Sequence, residues 1–228
     1  MKVRVVLVEP EGKINFGFIL RLCKNFEVDE LVAVRPKFDV KDEEVLRFAA
    51  HGKDFVERVS IVDNYKEALK GLVVCTSAKV SHRDPLRDFV VPWELREKLG
   101  EPEALSLVFG RESVGLTREE LSECDALLHV PASPQYPVLN LSHAVAIVLW
   151  EVWKQYKLSK ATLPQMADEK EKDLILNISR ELAEKFVGDE AKRERVLVSI
   201  KRLLAKATKQ EARNLLYLLS KCLNALGK

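Results

Sequence analysis

The 228-residue sequence has no run approaching the roughly 20 apolar residues that a membrane-spanning helix requires. A helical span is therefore excluded. Its four cysteines, Cys23, Cys75, Cys124 and Cys222, stand far apart, with no C-x-x-C pair. That spacing argues against a disulfide framework or a zinc site and fits thiols kept in a reducing interior. Methionine (two residues) and glutamine (four) are scarce, whereas charged residues make up 32%. Such a balance points toward a heat-adapted source. The opening residues are basic at the start, but their apolar run is too short for a signal peptide and reads as a first strand. No internal repeat or low-complexity stretch is present, and a 47% hydrophobic content supports a folded core. The expectation is a cytoplasmic protein without membrane association.

Charge is unevenly spread. From Glu151 onward there are 17 Lys and Arg against 11 Asp and Glu; before it, 20 against 24. A basic tail on a slightly acidic body fits an acidic partner such as nucleic acid, and equally a solvated, salt-bridged helical face.

Short continuous apolar runs at 3–8, 30–35, 72–76, 105–109 and 126–130 read as strands buried on both faces. Helical patterns lie between them, near 15–26, 42–50, 64–69, 92–99 and 117–124. This alternation predicts an α/β domain with a parallel sheet and helices on both faces. Ligands then gather outside the carboxyl ends of the strands. Residues 141–153 are apolar nearly all round, which predicts a buried helix. The predicted domain ends at 157, a polar linker follows over 158–165, and 166–228 form an all-helical basic extension. In that extension Leu174, Ile178, Leu182 and Phe186 recur every four residues, as do Val196, Ile200, Leu203 and Leu204 in part.

Three stretches are suited to chemistry. In the first, Asn15, Gly17, Arg21, Lys24 and Asn25 share a helix with the apolar stripe Ile14, Phe18, Leu22 and Phe26. Gly17, Arg21 and Asn25 are four apart and so share a face. A glycine inside a helix costs about 1 kcal/mol relative to alanine, which is easier to understand where a backbone or a ligand comes close. The alternative is Asn15 as a helix cap and Arg21 as a surface charge. The second stretch follows a buried strand: Phe109-Gly110-Arg111-Glu112, then Gly115-Leu116. Its glycines have phosphate-loop spacing, but Leu116 stands where that loop needs lysine, so a nucleoside-triphosphate site is excluded. No G-x-G-x-x-G follows a strand either. The third runs from Val130 through Pro131, Pro134 and Pro137 to Val138-Leu139-Asn140. Three prolines fix an extended path, and Asn140 is placed to cap the next helix. His143 has two readings, a general base or a hydrogen-bonded residue near a helix start. No nucleophile pairs with it, and no metal-ligand cluster is present.

Together and in this order, the N-x-G-x-x-x-R-x-x-K-N helix, F-G-R-E-x-x-G-L after a strand, and the proline-rich run ending in L-N-L resemble the three motifs of the SPOUT RNA methyltransferases. The likeness is greatest to the tRNA (cytidine/uridine-32-2′-O)-methyltransferase branch and spans about residues 1–157. The resemblance implies a C-terminal trefoil knot in the domain, S-adenosylmethionine as methyl donor, no metal, a tRNA substrate and a homodimer with the active site at the subunit interface. It places the donor against Thr76, Ser77, Ala78, Gly110, Val130, Pro137, Val138, Leu139 and Asn140. It implies catalytic roles for Arg21, Asn15 and Glu112. By their charge, Lys24, Arg111, Arg193, Arg195, Lys201 and Arg202 are candidates to hold the RNA backbone. One departure is visible: many members have serine where this chain has Val138. A same-fold ribosomal RNA methyltransferase and an inactive RNA-binding protein are the alternatives.

The implied reaction carries a methyl group from a sulfonium to a ribose 2′-hydroxyl, so the protein must align two reactants and remove one proton. The resemblance makes the arginine the base. On physical grounds a guanidinium, with a pKa above about 12, is better suited to gripping a phosphate and steadying the developing alkoxide.

Overall fold

The computed structural model describes residues 1–80, 88–158 and 164–226. The chain forms two compact units, Met1–Leu158 and Ser159–Lys228. Most of the predicted linker, residues 159–163, lies outside the described residues.

The first unit is built on a six-stranded sheet in the order β3-β2-β1-β5-β4-β6, every neighbouring pair parallel. Its strands are β1 (Lys2–Val8), β2 (Glu30–Val34), β3 (Val59–Val62), β4 (Leu72–Thr76), β5 (Ala104–Phe109) and β6 (Ala126–Leu128). Alternate side chains enter two cores. Val3, Val5, Leu7, Leu31, Ala33, Leu105, Leu107 and Phe109 face one; Val6, Val8, Val32, Val34 and Val108 face the other. Because both faces are covered, the apolar runs have no polar alternation.

Helices α1 (Lys13–Asn25), α2 (Glu43–Ala49), α3 (Leu95–Leu99) and α5 (Leu141–Val152) contribute to the first core, and α4 (Arg118–Ser122) to the second. Several expectations need correction. Residues 65–68 form a single 3₁₀ turn rather than an α-helix, and Pro92–Glu94 is 3₁₀ before α3 begins. Strand β3 escapes a reading of apolar runs, because it is four residues long, is interrupted by Ser60, and leaves both Ser60 and Ile61 exposed. In α1 the buried residues are Phe16, Gly17, Ile19, Leu20 and Cys23, whereas Ile14 and Phe18 are exposed. Helix α5 is not buried all round either: Ile147 is 39% and Trp150 46% exposed. Beside them Phe26, Trp150 and Trp153 pack as an aromatic cluster, with the two indoles stacked at 5.9 Å.

Gly17 does sit where a backbone comes close. A Cβ there would meet the Val45 carbonyl oxygen at 2.5 Å and Phe48 Cβ at 2.8 Å, so glycine lets α1 and α2 touch. Its cost in helix propensity is offset by that packing.

The cysteines also depart from expectation. Cys75 on β4 and Cys124 just before β6 form a disulfide with a Cα–Cα separation of 5.9 Å. They are 49 residues apart in sequence, but β4 and β6 are adjacent in the sheet, a proximity that spacing cannot reveal. Tyr65 donates its hydroxyl to the Glu120 carbonyl at 3.1 Å alongside this bridge, and burial pushes its phenol up.

The second unit consists of α6 (Glu169–Phe186), α7 (Glu190–Leu204) and α8 (Lys209–Leu226). Its small core holds Ala167, Ile175, Leu204 and Ala212. On α6 the buried row is Ile175, Ser179 and Ala183, one position round from the predicted row, and Leu174 and Phe186 are exposed.

Closing a loop of this length stabilises a chain by about 4 kcal/mol in the entropic account. Reduction, or Cys124→Ser, is therefore expected to lower the melting temperature. Denatured without reductant, the protein should show two reactive thiols, Cys23 and Cys222; four would refute the bridge.

Candidate active site

A parallel sheet places every strand's carboxyl end on one edge, and the three motifs leave it there. After β5 the chain turns sharply between Arg111 and Gly115, whose N–H donates to the Arg111 carbonyl at 2.9 Å. The turn folds back on Gly110 so closely that a Cβ there would lie 2.3 Å from the Gly115 carbonyl carbon. Glycine is required by this self-contact. The turn projects Glu112 toward the segment that follows β1.

There the Glu112 carboxylate accepts from the backbone N–H groups of Glu11 (3.0 Å) and Gly12 (3.1 Å) and from the Asn15 side-chain amide (3.3 Å). Gly12 is the N-cap of α1 and has no side chain to satisfy the helix's free N–H groups. A carboxylate supplied from elsewhere in the chain takes over part of that role and complements the positive helix end. Asn15 is thus not the cap; it lies within the first turn. Its side-chain oxygen accepts from the Asn140 amide at 3.0 Å. Asn140 in turn caps α5, accepting from the Ser142 N–H at 2.9 Å and hydroxyl at 2.7 Å. One hydrogen-bonded chain, Glu112–Asn15–Asn140–Ser142, therefore ties all three motifs together.

The remaining predicted residues surround it unequally. Thr76 ends β4 and donates its hydroxyl to the Val108 carbonyl at 3.0 Å; Ser77 donates its N–H to the Leu128 carbonyl at 3.1 Å. Val130 follows β6, and Ala78, Pro137 and Val138 are exposed. Among the described residues, the N–H groups of Val138, Leu139 and Asn140 make no hydrogen bond. A row of unused backbone donors at the strand ends suits a small polar ligand recognised through main-chain groups.

Arg21 stands apart. On α1 it lies about 9 Å along the axis and a third of a turn round from Asn15. It is exposed and makes no hydrogen bond or ion pair among the described residues. Lys24 is paired with Asp54 at 2.8 Å and donates to the His51 carbonyl at 3.0 Å. His143 is exposed, and no group of metal-ligating side chains occurs among the described residues.

A profile of the SpoU rRNA methylase family matches residues 2–150. The chain belongs to the SpoU rRNA methylase family. A full-length relative is the tRNA (cytidine-2′-O-)-methyltransferase TrmJ of Sulfolobus acidocaldarius, 41% identical over 234 residues that span 100% of this chain and 96% of that protein. The enzyme of the same name from Methanocaldococcus jannaschii is 33% identical over 212 residues, 90% of this chain and 92% of its own. Among solved structures, a probable methylase family protein from Haemophilus influenzae Rd KW20 matches with a TM-score of 0.63 at 29% identity, covering 99% and 98% of the two chains.

Within this SpoU-family chain, Arg111 is engaged by carboxylates rather than free. Its side chain is 13% exposed and its guanidinium binds Glu120 through both nitrogens (3.0 Å each) and Glu9 at 2.9 Å. As an RNA contact it would have to exchange these carboxylates for phosphate; a charge read from sequence carries no record of its partner. Glu9, Glu11, Ser113 and Glu120 also belong to this arrangement, and no motif marks them. The available signal is position, since Glu9 directly follows a buried strand.

Arg111, with Lys37 and Arg35 beside it, holds the Glu9 carboxyl well below the usual carboxylate range. A depressed folded pKa contributes stability that is present above the unfolded value, about 4.3 for glutamate, and is lost as pH falls below it toward the folded value. Glu9→Gln is therefore expected to melt below the wild type at pH 7, with the gap narrowing by pH 3. A gap independent of pH would contradict this assignment.

Proposed function

We propose that this protein transfers a methyl group from S-adenosylmethionine to a ribose 2′-hydroxyl of tRNA, at nucleotide 32 of the anticodon loop. The Glu112–Asn15–Asn140 chain carries the reading, because it joins the three motif segments into one site. The full-length likeness to a tRNA (cytidine-2′-O-)-methyltransferase supports the tRNA substrate. The donor would be held by Thr76 through Ala78, Gly110, Val130 and Pro137 through Asn140, in the region the resemblance implies to be knotted. The unused N–H groups of Val138, Leu139 and Asn140 fit a ligand gripped by backbone. Val138 has no hydroxyl, but its backbone N–H is unaffected by that change. Bound there, the donor supplies an electrophilic methyl whose leaving group is a neutral thioether.

The chain's own residues then have to align the 2′-oxygen and manage its proton. Asn15 and Glu112 fix the floor of the site. Arg21 is separated from them within one subunit, which fits a site completed by a second copy. The exposed apolar residues Ile14, Phe18, Ile147 and Trp150 on α1 and α5 are suited to such a homodimer contact. There Arg21 would hold the phosphate beside the reacting ribose and stabilise the alkoxide as its proton leaves.

On α7, Arg193, Arg195, Lys201 and Arg202 offer basic side chains to the tRNA backbone, while Lys24 would exchange Asp54 for a phosphate. A cytoplasmic setting accords with that substrate, and the disulfide with the interior of a heat-adapted cell.

Incubation with labelled donor and unmodified tRNA transcripts, followed by mapping, should place label on the 2′-oxygen of nucleotide 32. Label confined to ribosomal RNA would move the substrate; tight donor and tRNA binding without transfer would indicate a binding protein. Arg21→Lys should lose most activity with donor affinity unchanged, and equal activity would remove Arg21 from the mechanism. Replacing Arg195, Lys201 and Arg202 by Gln should lower the salt slope of tRNA binding by roughly one for each phosphate no longer neutralised. An unchanged slope would place the RNA elsewhere.

A further inference from the structure

Arg111 and Glu112 are neighbours in the turn after β5, and both reach the segment between β1 and α1. Glu112 takes the N–H groups of Glu11 and Gly12. Arg111 reaches back to the Glu9 carboxylate. A third clasp runs the opposite way: the Glu11 carboxylate accepts from the Ser113 N–H at 3.1 Å and hydroxyl at 2.8 Å. Two short backbone segments are thus fastened to each other at three successive points immediately before α1 begins.

The Glu9 end of this fastening is under constraint. Glu9 has φ 45°, a left-handed conformation that non-glycine residues adopt rarely and keep only when their surroundings fix it. Its N–H donates to the Val34 carbonyl at 2.8 Å, and its carboxylate meets Arg35 and Lys37, each at 2.8 Å, besides Arg111. Arg111 is anchored independently by the Glu120 carboxylate, itself 10% exposed and engaged with the Thr117 N–H at 2.8 Å. Neither Glu9 nor Arg111 touches Asn15 or Asn140. Yet α1 starts four residues after Glu9 with no side-chain cap of its own, so its first turn is set by what holds this segment.

We propose that Glu9 and Arg111 are positioning residues of the methyl-transfer site: the ion pair between them sets where Glu112 holds the first turn of α1, and with it the Asn15 amide opposite Asn140. This rests on the roles given above to Glu112 and Asn15. Displacement of a catalytic group by about 1 Å can cost roughly a hundredfold in rate. A loosened clasp should cost less, because Glu112 keeps its own bonds.

The test compares kcat and KM of the full-length wild type, Glu9→Gln, Arg111→Lys, Glu112→Gln and the Glu9→Gln/Glu112→Gln double variant on tRNA transcript. Glu9→Gln leaves the Arg111–Glu120 pair intact and so guards against a variant that fails to fold. About a tenfold loss in kcat is expected for Glu9→Gln, with KM for the donor within twofold. The double variant should be no slower than Glu112→Gln alone, since Glu9 acts only through Glu112. A wild-type kcat in Glu9→Gln, or losses that multiply in the double variant, would overturn the positioning role. A fully active Glu112→Gln would instead overturn the site assignment on which the proposal rests.

Discussion

An all-parallel sheet cannot join neighbouring strands by tight turns; each strand must be reached by a crossover over one face. That constraint organises the first unit. It buries both faces, which is why β1 is Val-Arg-Val-Val-Leu-Val with almost no polar relief, and it delivers every strand's carboxyl end to the same edge. Groups that cannot be buried in the sheet collect there: Glu9 after β1, Arg35 after β2, Thr76 at the end of β4, Arg111 after β5. Glu9 accepts from both Arg35 and Arg111, and Glu120 adds a second carboxylate to Arg111. Several of these groups are tied to one another by short ion pairs, which fixes the edge.

The central strands are legible in the sequence because a continuous apolar run needs no knowledge of partners. Strand β3 is hidden because a short edge strand has little to bury, and both Ser60 and Ile61 are exposed. Helix periodicity misleads in a consistent way. It identifies residues sharing a face in α1, α5 and α6 but cannot say which face the neighbouring elements cover. Ile14 and Phe18 are apolar and exposed, while Gly17 is buried against Val45 and Phe48. The three motif segments do lie at the expected strand ends, and Asn140 is a cap as its position suggests. What the sequence withholds is pairing. Asn15 reads as a cap until Glu112 is seen to serve that helix end, and Arg111 reads as a free cation until Glu9 and Glu120 are seen beside it. Cys75 and Cys124 look remote until β4 and β6 are neighbours.

The second unit solves its stability differently. Three helices share a core of a few small and medium side chains, too little to hold them by burial alone. Their ends are secured instead. Asp168 and Glu171 form a reciprocal capping box on α6, Asp189 caps α7 through the Lys192 N–H at 2.7 Å, and Thr208 pairs with Glu211 at the start of α8. Caps of this kind are worth about 1 kcal/mol each. Arg213 of α8 reaches Glu171 of α6 at 3.2 Å, adding a link between helices. With hydrophobic demand this low, much of the surface of α7 remains available for basic residues.

The hydrogen bond between Asn15 and Asn140 joins residues 125 positions apart. As the chain leaves the ribosome, α1 is complete long before its partner amide has been synthesised, and Glu112 arrives between the two. Contacts of such long range form late and slowly, after the loops they close have been ordered. A nascent or truncated chain can form β1 and α1 and even the turn after β5, yet it carries an open site until the final helix of the first unit has docked. Only a chain finished through α5 can close the Glu112–Asn15–Asn140 hydrogen-bonded chain.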